Sequence, residues 1–260
     1  MIKAIFFDID GTLVSTKTRA CCPSARQALW LLRKKGIKLF IATGRSKFEI
    51  NGEKLLDGLK FDGILTNNGQ DGYDGHGNLL YGNPIHPQDV QAIVNWADRQ
   101  QAACWLVSAR DSVLNRMNSR VEEAMDLIHT RPPRLGSLHE TAQDPVFKVV
   151  LFLNRQEMNH IMPLAPHSRS TQWFENGFDI IAGNGGKGVA VKSLWEHYGF
   201  TRQQTMAFGD GHNDIEMLRA VGIGVAMGNA GDEVKAAADY VTDDVDENGL
   251  YNALTHFGLI

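Results

Sequence analysis

The chain has 260 residues, 43% hydrophobic and 22% charged, with a formal net charge of −4. This is ordinary globular composition, long enough for a large domain with an insert, and the mild acidity argues against a nucleic-acid or anionic-membrane binder. No apolar run nears the ~20 residues of a membrane span. Met1 leads into a strand without room for a signal peptide, and the three cysteines make no disulfide framework. The expectation is a cytoplasmic protein, a monomer or weak homo-oligomer.

The first third alternates strand and helix. Residues 3–10 read as a strand around the apolar run Ile5-Phe6-Phe7. Residues 24–35 read as a helix, with Ala28, Leu29, Leu31 and Leu32 apolar and Gly36 as the stop. A second buried strand covers 37–42, a helix 46–59, and part of a third strand 64–66. This βαβαβ order implies a parallel sheet with right-handed crossovers. Gly72, Gly75 and Gly77 then punctuate a hairpin over 70–81.

The middle follows another grammar. A helix is expected over 89–100, a strand over 103–107, a helix over 121–129, a strand over 147–153 and a helix from 155. Two strands flank the Asn176-Gly177 turn. This predicts an α+β unit with an antiparallel sheet, opened by Pro84 and Pro87 and closed by Gly183, Gly185 and Gly186. The last third returns to α/β. Helices are expected over 187–197, 214–221, 232–237 and 247–256, and strands over 205–208, 222–226 and 240–242.

Four clusters carry chemistry. Asp8 and Asp10 stand two residues apart at a strand end, so their side chains project to one face. Like charges that close need a cation or a raised pKa on one member. Gly11 permits a sharp turn and Thr12 supplies a hydroxyl; a nucleophile, a proton carrier and a hard metal ion would use all these parts. Thr43-Gly44 closes the second strand with a hydroxyl and N–H groups suited to a phosphate oxygen. Arg45 beside it reads as a solvated side chain. Lys187, at a helix start, is mismatched to the helix dipole, which suggests that it holds an anion. Finally, Gly209-Asp210-Gly211-His212-Asn213-Asp214 follows another strand. Asp210 can reach a metal and Asn213 can donate to phosphate, while Asp214 has two options, a water-mediated metal contact or holding Lys187. Such oxygen ligands favour Mg²⁺. His212 reads as exposed, and the adjacent Cys21 and Cys22 lack a second thiol cluster. All four clusters sit at carboxyl ends of parallel strands, which meet in one crevice.

At these residues the sequence resembles the haloacid dehalogenase superfamily of phosphohydrolases. The motifs Asp8-Ile9-Asp10-Gly11-Thr12, Thr43-Gly44-Arg45, Lys187-Gly188 and Gly209 to Asp214 fall in the family's order, and Thr66-Asn67-Asn68-Gly69 is similar too. The inserted middle and the stretches Gly224-Val225-Ala226-Met227-Gly228-Asn229-Ala230 and 237–242 resemble the Cof-type, or type IIB, subclass. The resemblance implies an α/β fold: a Rossmann-like three-layer parallel-sheet core from residues 1–83 and 184–260, with an α+β cap over 84–183 that selects the substrate. It further implies Mg²⁺-dependent hydrolysis of small phosphomonoesters, sugar phosphates above all, through an aspartyl-phosphate. On this reading Asp8 is the nucleophile, and Asp10, kept protonated by its neighbours, moves the proton. The Asp8 side chain, the Asp10 carbonyl and Asp210 hold the metal, with Asp214 a further contact through water, and Thr43, Gly44, Lys187 and Asn213 hold the phosphoryl group. Arg110, Trp173 and Asp179 are candidate specificity residues in the cap. The alternatives are a phosphosugar mutase, a catalytically silent phosphometabolite-binding module, against which the intact acid set argues, and a receiver-type signalling domain, typically about half this length.

Overall fold

Strands buried on both faces need continuous apolar runs, and three such runs build the middle of the main sheet. A computed structural model of the chain describes residues 1–53, 56, 58–128 and 130–260. Its first segment runs Ala4–Phe7 (β1), Pro23–Lys34 (α1), Lys38–Ala42 (β2), Lys47–Glu53 (α2), Gly63–Thr66 (β3), Asp71–Asp74 (β4) and Leu79–Gly82 (β5). The middle continues with Pro87–Gln100 (α3), Cys104–Ser108 (β6), Ser112–Leu114 (β7), Ser119–Ile128 (α4), Arg134–Leu135 (β8) and Leu138–Thr141 (α5). Val146–Leu151 (β9), Arg155–Ile161 (α6), Ser168–Phe174 (β10) and Gly177–Ala182 (β11) complete it. The final segment is Lys187–His197 (α7), Thr205–Gly209 (β12), Ile215–Ala220 (α8), Ile223–Ala226 (β13), Asp232–Ala237 (α9), Tyr240–Val241 (β14) and Gly249–His256 (α10).

The chain divides into two compact units. One comprises Met1–Arg45, Lys54–Tyr81 and Gly186–Ile260; the other comprises Ser46–Glu53 and Gly82–Gly185. In the first unit, strands among the described residues form one sheet in the order β14-β13-β12-β1-β2-β3-β4-β5. It is parallel from β14 to β3, and β4 folds back antiparallel on β3. The chain therefore runs outward from β1 on one side and from β12 on the other. The β1/β12 border is a topological switch point, and ligands of open α/β sheets bind outside the carboxyl ends of the strands there. Helices α7 and α8 cover one face of this sheet: Ala190, Val191, Leu194, Met217 and Leu218 pack on Phe6, Phe40, Leu65 and Ala207. The rings of Phe6 and Phe40 stack 5.1 Å apart.

The second unit is built on a sheet of order β10-β11-β9-β6-β7-β8. Alternation along its strands divides two cores. Cys104, Leu106, Val149, Leu151 and Ile180 pack with Val90, Ile93 and Val94 of α3. Trp105, Val107 and Val150 pack with Val121, Ala124 and Met125 of α4. Among the described residues, no helix is long and apolar enough to cross a membrane.

Three short elements, β7, β8 and α5, were not expected from sequence, since two to four residues are too few to display a period. The helix expected over 46–59 is described to Glu53; residues 54, 55 and 57 lie outside the described residues, as does His129 at the end of the helix expected over 121–129. The sequence reading kept α2 with the core, whereas its packing groups it with the second unit. Lys47 Nζ donates to the Ala109 carbonyl at 2.9 Å, Glu49 faces Lys148 at 3.5 Å, and Phe48 packs against the Trp105 cluster.

Candidate active site

The ends of the central strands set the stage. The Asp8 N–H donates to Phe208 O at 3.0 Å, extending the parallel pairing one residue beyond β1. Thr43 does the same beyond β2, donating to Leu65 O at 2.9 Å. Asp210 follows β12 directly. These three neighbouring strands thus deliver their next residues, Asp8, Thr43 and Asp210, along one edge of the sheet.

Lys187, the first residue of α7, is 1% exposed. Its Nζ donates to Asp8 Oδ1 and to Asp214 Oδ1, both at 2.6 Å. The second oxygen of Asp214 accepts the backbone N–H groups of Asp210 (3.1 Å) and Gly211 (2.9 Å). The lysine contact, one of the two roles open to Asp214 from sequence, is present. Asp8, Asp210 and Asp214 each bring a carboxylate oxygen within 4.8 Å of the others.

This crowding shifts the charges. Burial pushes the Asp8 carboxyl well above the usual range; Lys187 pulls it down, while Asp214, Asp210 and Asp10 push it further up. Asp210 is pushed up to about 7, first by burial and then by Asp214, against the pull of the Thr12 hydroxyl and Lys187. Burial opposes the charge on Lys187, but Asp214 and Asp8 outweigh it and hold the ammonium above the ordinary lysine range. One buried cation is therefore set against three carboxylates.

The Asp210 side chain is held from two sides. Thr12 Oγ1 donates to its Oδ1 at 2.9 Å, and Asn229 Nδ2 donates to its Oδ2 at 3.2 Å and to Gly11 O at 2.9 Å. Gly11 has φ +78°, and a Cβ there would lie 2.2 Å from Asp210 Oδ2. Only a residue without a side chain lets the first loop pass so close to this carboxylate.

A second chain of contacts links the phosphate-binding candidates. Thr43 is buried, and its Oγ1 accepts the Arg45 N–H at 3.1 Å. Asn68 donates its N–H to Thr43 O at 2.9 Å and accepts from Asn213 Nδ2 at 2.8 Å. A Cβ on Gly44 would stand 3.1 Å from Asn68 Oδ1, so glycine admits this pair. The turn that presents Asn68 has three left-handed residues in a row, Asn67, Asn68 and Gly69. Asp71 anchors it, accepting from Thr66 Oγ1, from Asn67 Nδ2 at 3.0 Å and from Tyr73 OH at 2.8 Å.

One expectation needs correction. Arg45 is not solvated: its side chain is 11% exposed and grips Asp10 with both prongs, Nε to Oδ2 at 2.7 Å and Nη2 to Oδ1 at 2.9 Å. The Arg45 guanidinium thus faces both oxygens of Asp10. His212 is exposed, as read, with Nδ1 3.2 Å from Glu233. Cys21 and Cys22 are free thiols, and burial pushes Cys21 up to about 11, away from the reactive thiolate.

In the second unit, Arg110 is exposed and lies 3.5 Å from Asp144. Asp179 is buried in β11, opposite Thr171 and Val150. Trp173 packs on the Trp105–Val150 cluster. Cross-strand partners share a face, so Asp179 and Trp173 stand on one side of this sheet. Arg110 instead lies between β6 and β7.

A sequence profile described as haloacid dehalogenase-like hydrolase matches residues 5–254. The chain belongs to this family. The haloacid dehalogenase-like assignment agrees with single relatives. YcsE of Bacillus subtilis (strain 168), a 5-amino-6-(5-phospho-D-ribitylamino)uracil phosphatase, is 30% identical over 260 residues, or 99% of this chain and 96% of its own. YbhA of Escherichia coli (strain K12), a pyridoxal phosphate phosphatase, is 29% identical over 256 residues, or 93% of each chain. The structure of the subclass IIB sugar phosphatase BT4131 superimposes with a TM-score of 0.87 at 35% identity, covering 99% of this chain and 100% of that one. The protein is thus a haloacid dehalogenase-like enzyme of the phosphatase class, with the Rossmann-like fold expected.

Sequence reasoning missed the site contacts of Arg45, Asn68 and Asn229. Asn229 follows β13, and its place after a parallel strand end was the available signal. Asn68 offered the Asn-Asn-Gly run, whose residues tolerate left-handed backbone. Arg45 offered none, because its destination is set by a partner 35 residues away.

Proposed function

We propose that this haloacid dehalogenase-like phosphatase hydrolyses small phosphomonoesters, sugar phosphates among them, through an aspartyl-phosphate on Asp8, with Mg²⁺ in the carboxylate cluster. The observation that carries this reading is the buried Asp8–Lys187–Asp214 bridge with Asp210 within 4.8 Å. The donor set fits the ion: every candidate donor is oxygen, as a hard divalent cation requires, and the negative charge exceeds what Lys187 balances. Asp8, the Asp10 carbonyl and Asp210 would hold it. Asp214 acts mainly through Lys187 and the Asp210–Gly211 backbone. When bound, magnesium supplies charge neutralisation for a phosphate dianion that the carboxylates alone would repel.

The protein groups do the rest. An Asp8 carboxylate oxygen forms a bond to phosphorus as the bond to the leaving oxygen breaks. Asp10 gives a proton to that oxygen, then accepts one from the water that attacks the acyl phosphate, releasing inorganic phosphate and restoring Asp8. Before Asp10 can transfer a proton, Arg45 has to surrender one of its oxygens. Thr43, the Gly44 N–H, Lys187 and Asn213 hold the phosphoryl oxygens, so catalysis is mainly positioning and charge stabilisation. We assign substrate choice to the cap, residues 84–183, with Asp179, Trp173 and Arg110 as candidate contacts. Relatives acting on a ribitylaminouracil phosphate, on pyridoxal phosphate and on sugar phosphates support a phosphomonoesterase whose leaving group varies.

The test is phosphate release by the purified protein from a panel of phosphorylated sugars, vitamins and nucleotides. Turnover is expected with Mg²⁺ and without an activating bisphosphate, and it is lost in EDTA and in Asp8→Asn. Full-rate turnover in EDTA or an active Asp8→Asn protein overturns the reading. Dependence on a bisphosphate would make it a mutase.

A further inference from the structure

Among the described residues, a second set of metal-ligating side chains gathers: His86, Asp89 and His167. All belong to the second unit. His86 immediately precedes α3, Asp89 lies in the first turn of that helix, and His167 immediately precedes β10. One ligand atom from each lies within 4.8 Å of the other two. The imidazole rings face one another, with centroids 4.3 Å apart and planes inclined by 28°.

The carboxylate is already fixed. Asp89 is 1% exposed. Its Oδ2 accepts the His167 N–H at 2.9 Å and the Ser168 hydroxyl at 2.7 Å, which leaves Oδ1 aimed at His167 Nδ1, 3.0 Å away. Two ligands of a tetrahedral zinc ion with bonds of 2.0–2.1 Å stand roughly 3.3 Å apart. An ion can therefore replace the proton between these two atoms with little movement. His86 is exposed, and its Nδ1 takes only a long 3.4 Å contact from the Gln88 N–H, so its ring is cheap to turn.

We propose that His86, Asp89 and His167 bind a divalent transition-metal ion, with zinc the best match, at a site separate from catalysis. Imidazole nitrogen favours zinc, copper and nickel over magnesium, which sets this site apart from the all-oxygen cluster of the core. Two histidines and one carboxylate leave a fourth position for water. Binding displaces the proton shared by His167 and Asp89 into solvent. The ion then ties the start of α3 to the turn before β10, 78 residues along the chain. This inference does not depend on the phosphatase mechanism.

The experiment titrates Zn²⁺ into the protein in excess Mg²⁺, added to compete for the all-oxygen carboxylate cluster. One equivalent is expected to bind, and the affinity should fall about tenfold or more in both His86→Gln and His167→Gln, while His256→Gln binds as the parent does. Equal melting temperatures of the metal-free variants and parent establish that the fold is intact. With Cu²⁺ as a spectroscopic probe, nitrogen hyperfine structure from two imidazoles is expected, reduced to one in either variant. No zinc equivalent bound in excess Mg²⁺, or an equivalent that both variants retain, overturns the proposal.

Discussion

Replacing Lys187 with methionine keeps much of the side-chain volume and removes the only charge in it. Lys187 is 1% exposed, and both of its carboxylate contacts are 2.6 Å long. Removing one partner of a buried ion pair costs about 3–5 kcal/mol, because the other charge is left without compensation. Here two carboxylates lose the same partner. Asp214 retains the N–H groups of Asp210 and Gly211, so the greater part of the loss falls on Asp8. A loss of about 3–5 kcal/mol in chelator is therefore expected, a fall of roughly 6–20 °C in melting temperature for a chain of this size. Urea and thermal unfolding in EDTA measure it. The double variant Lys187→Met/Asp8→Asn removes the orphaned carboxylate as well and should recover part of the loss. A Lys187→Met protein that loses under about 1 kcal/mol, or a double variant that recovers nothing, refutes the claim that this bridge balances buried charge.

Three further outcomes follow from the same site. Asp210 titrates near pH 7 in the metal-free fold against about 3.9 when unfolded, so the fold binds its proton more tightly and loses stability as pH rises between those values. In EDTA the parent should be about 2 kcal/mol more stable at pH 5.5 than at pH 7.5 from this group; Asp210→Asn should flatten the trend, and unfolding curves at both pH values for both proteins check it. Gly11→Ala places a methyl 2.2 Å from Asp210 Oδ2 on a left-handed backbone; it should cost at least about 1–2 kcal/mol and most of the Mg²⁺-dependent activity, read by unfolding and by phosphate release. Arg45→Lys keeps the charge but not the fork on Asp10, so kcat should fall about tenfold and its pH profile should shift; an unchanged profile would mean that the fork has no part in proton transfer.

What was legible in the sequence is what local pattern controls. The run Ile5-Phe6-Phe7 and its counterparts announced a buried parallel sheet, and the polar residues that end each run marked where its chemistry would stand. The Lys187 helix was readable because a cation at a helix start contradicts the dipole and calls for a local reason. Arg45 was not readable: a long flexible side chain can reach solvent, phosphate or Asp10 with equal local propriety, and only the fold chooses. The allegiance of α2 was hidden for a similar reason. Its own residues suit a crossover helix, but Phe48 and Glu49 find their partners, Trp105 and Lys148, more than fifty positions later. Strands of two or three residues such as β7 and β8 are specified by their neighbours and not by themselves.

The strand β1, made before the rest of its sheet, is also an inner strand of that sheet, with β2 on one flank and β12 on the other. Emerging chain can seat β2 at once, yet the opposite flank stays bare until about two hundred residues have been added. Throughout that interval Asp8 has been synthesised and its counter-cation has not. Truncated translation products should therefore expose an open sheet edge beside unneutralised acid, a natural handle for holdase chaperones and for proteolytic clearance of chains that never finish.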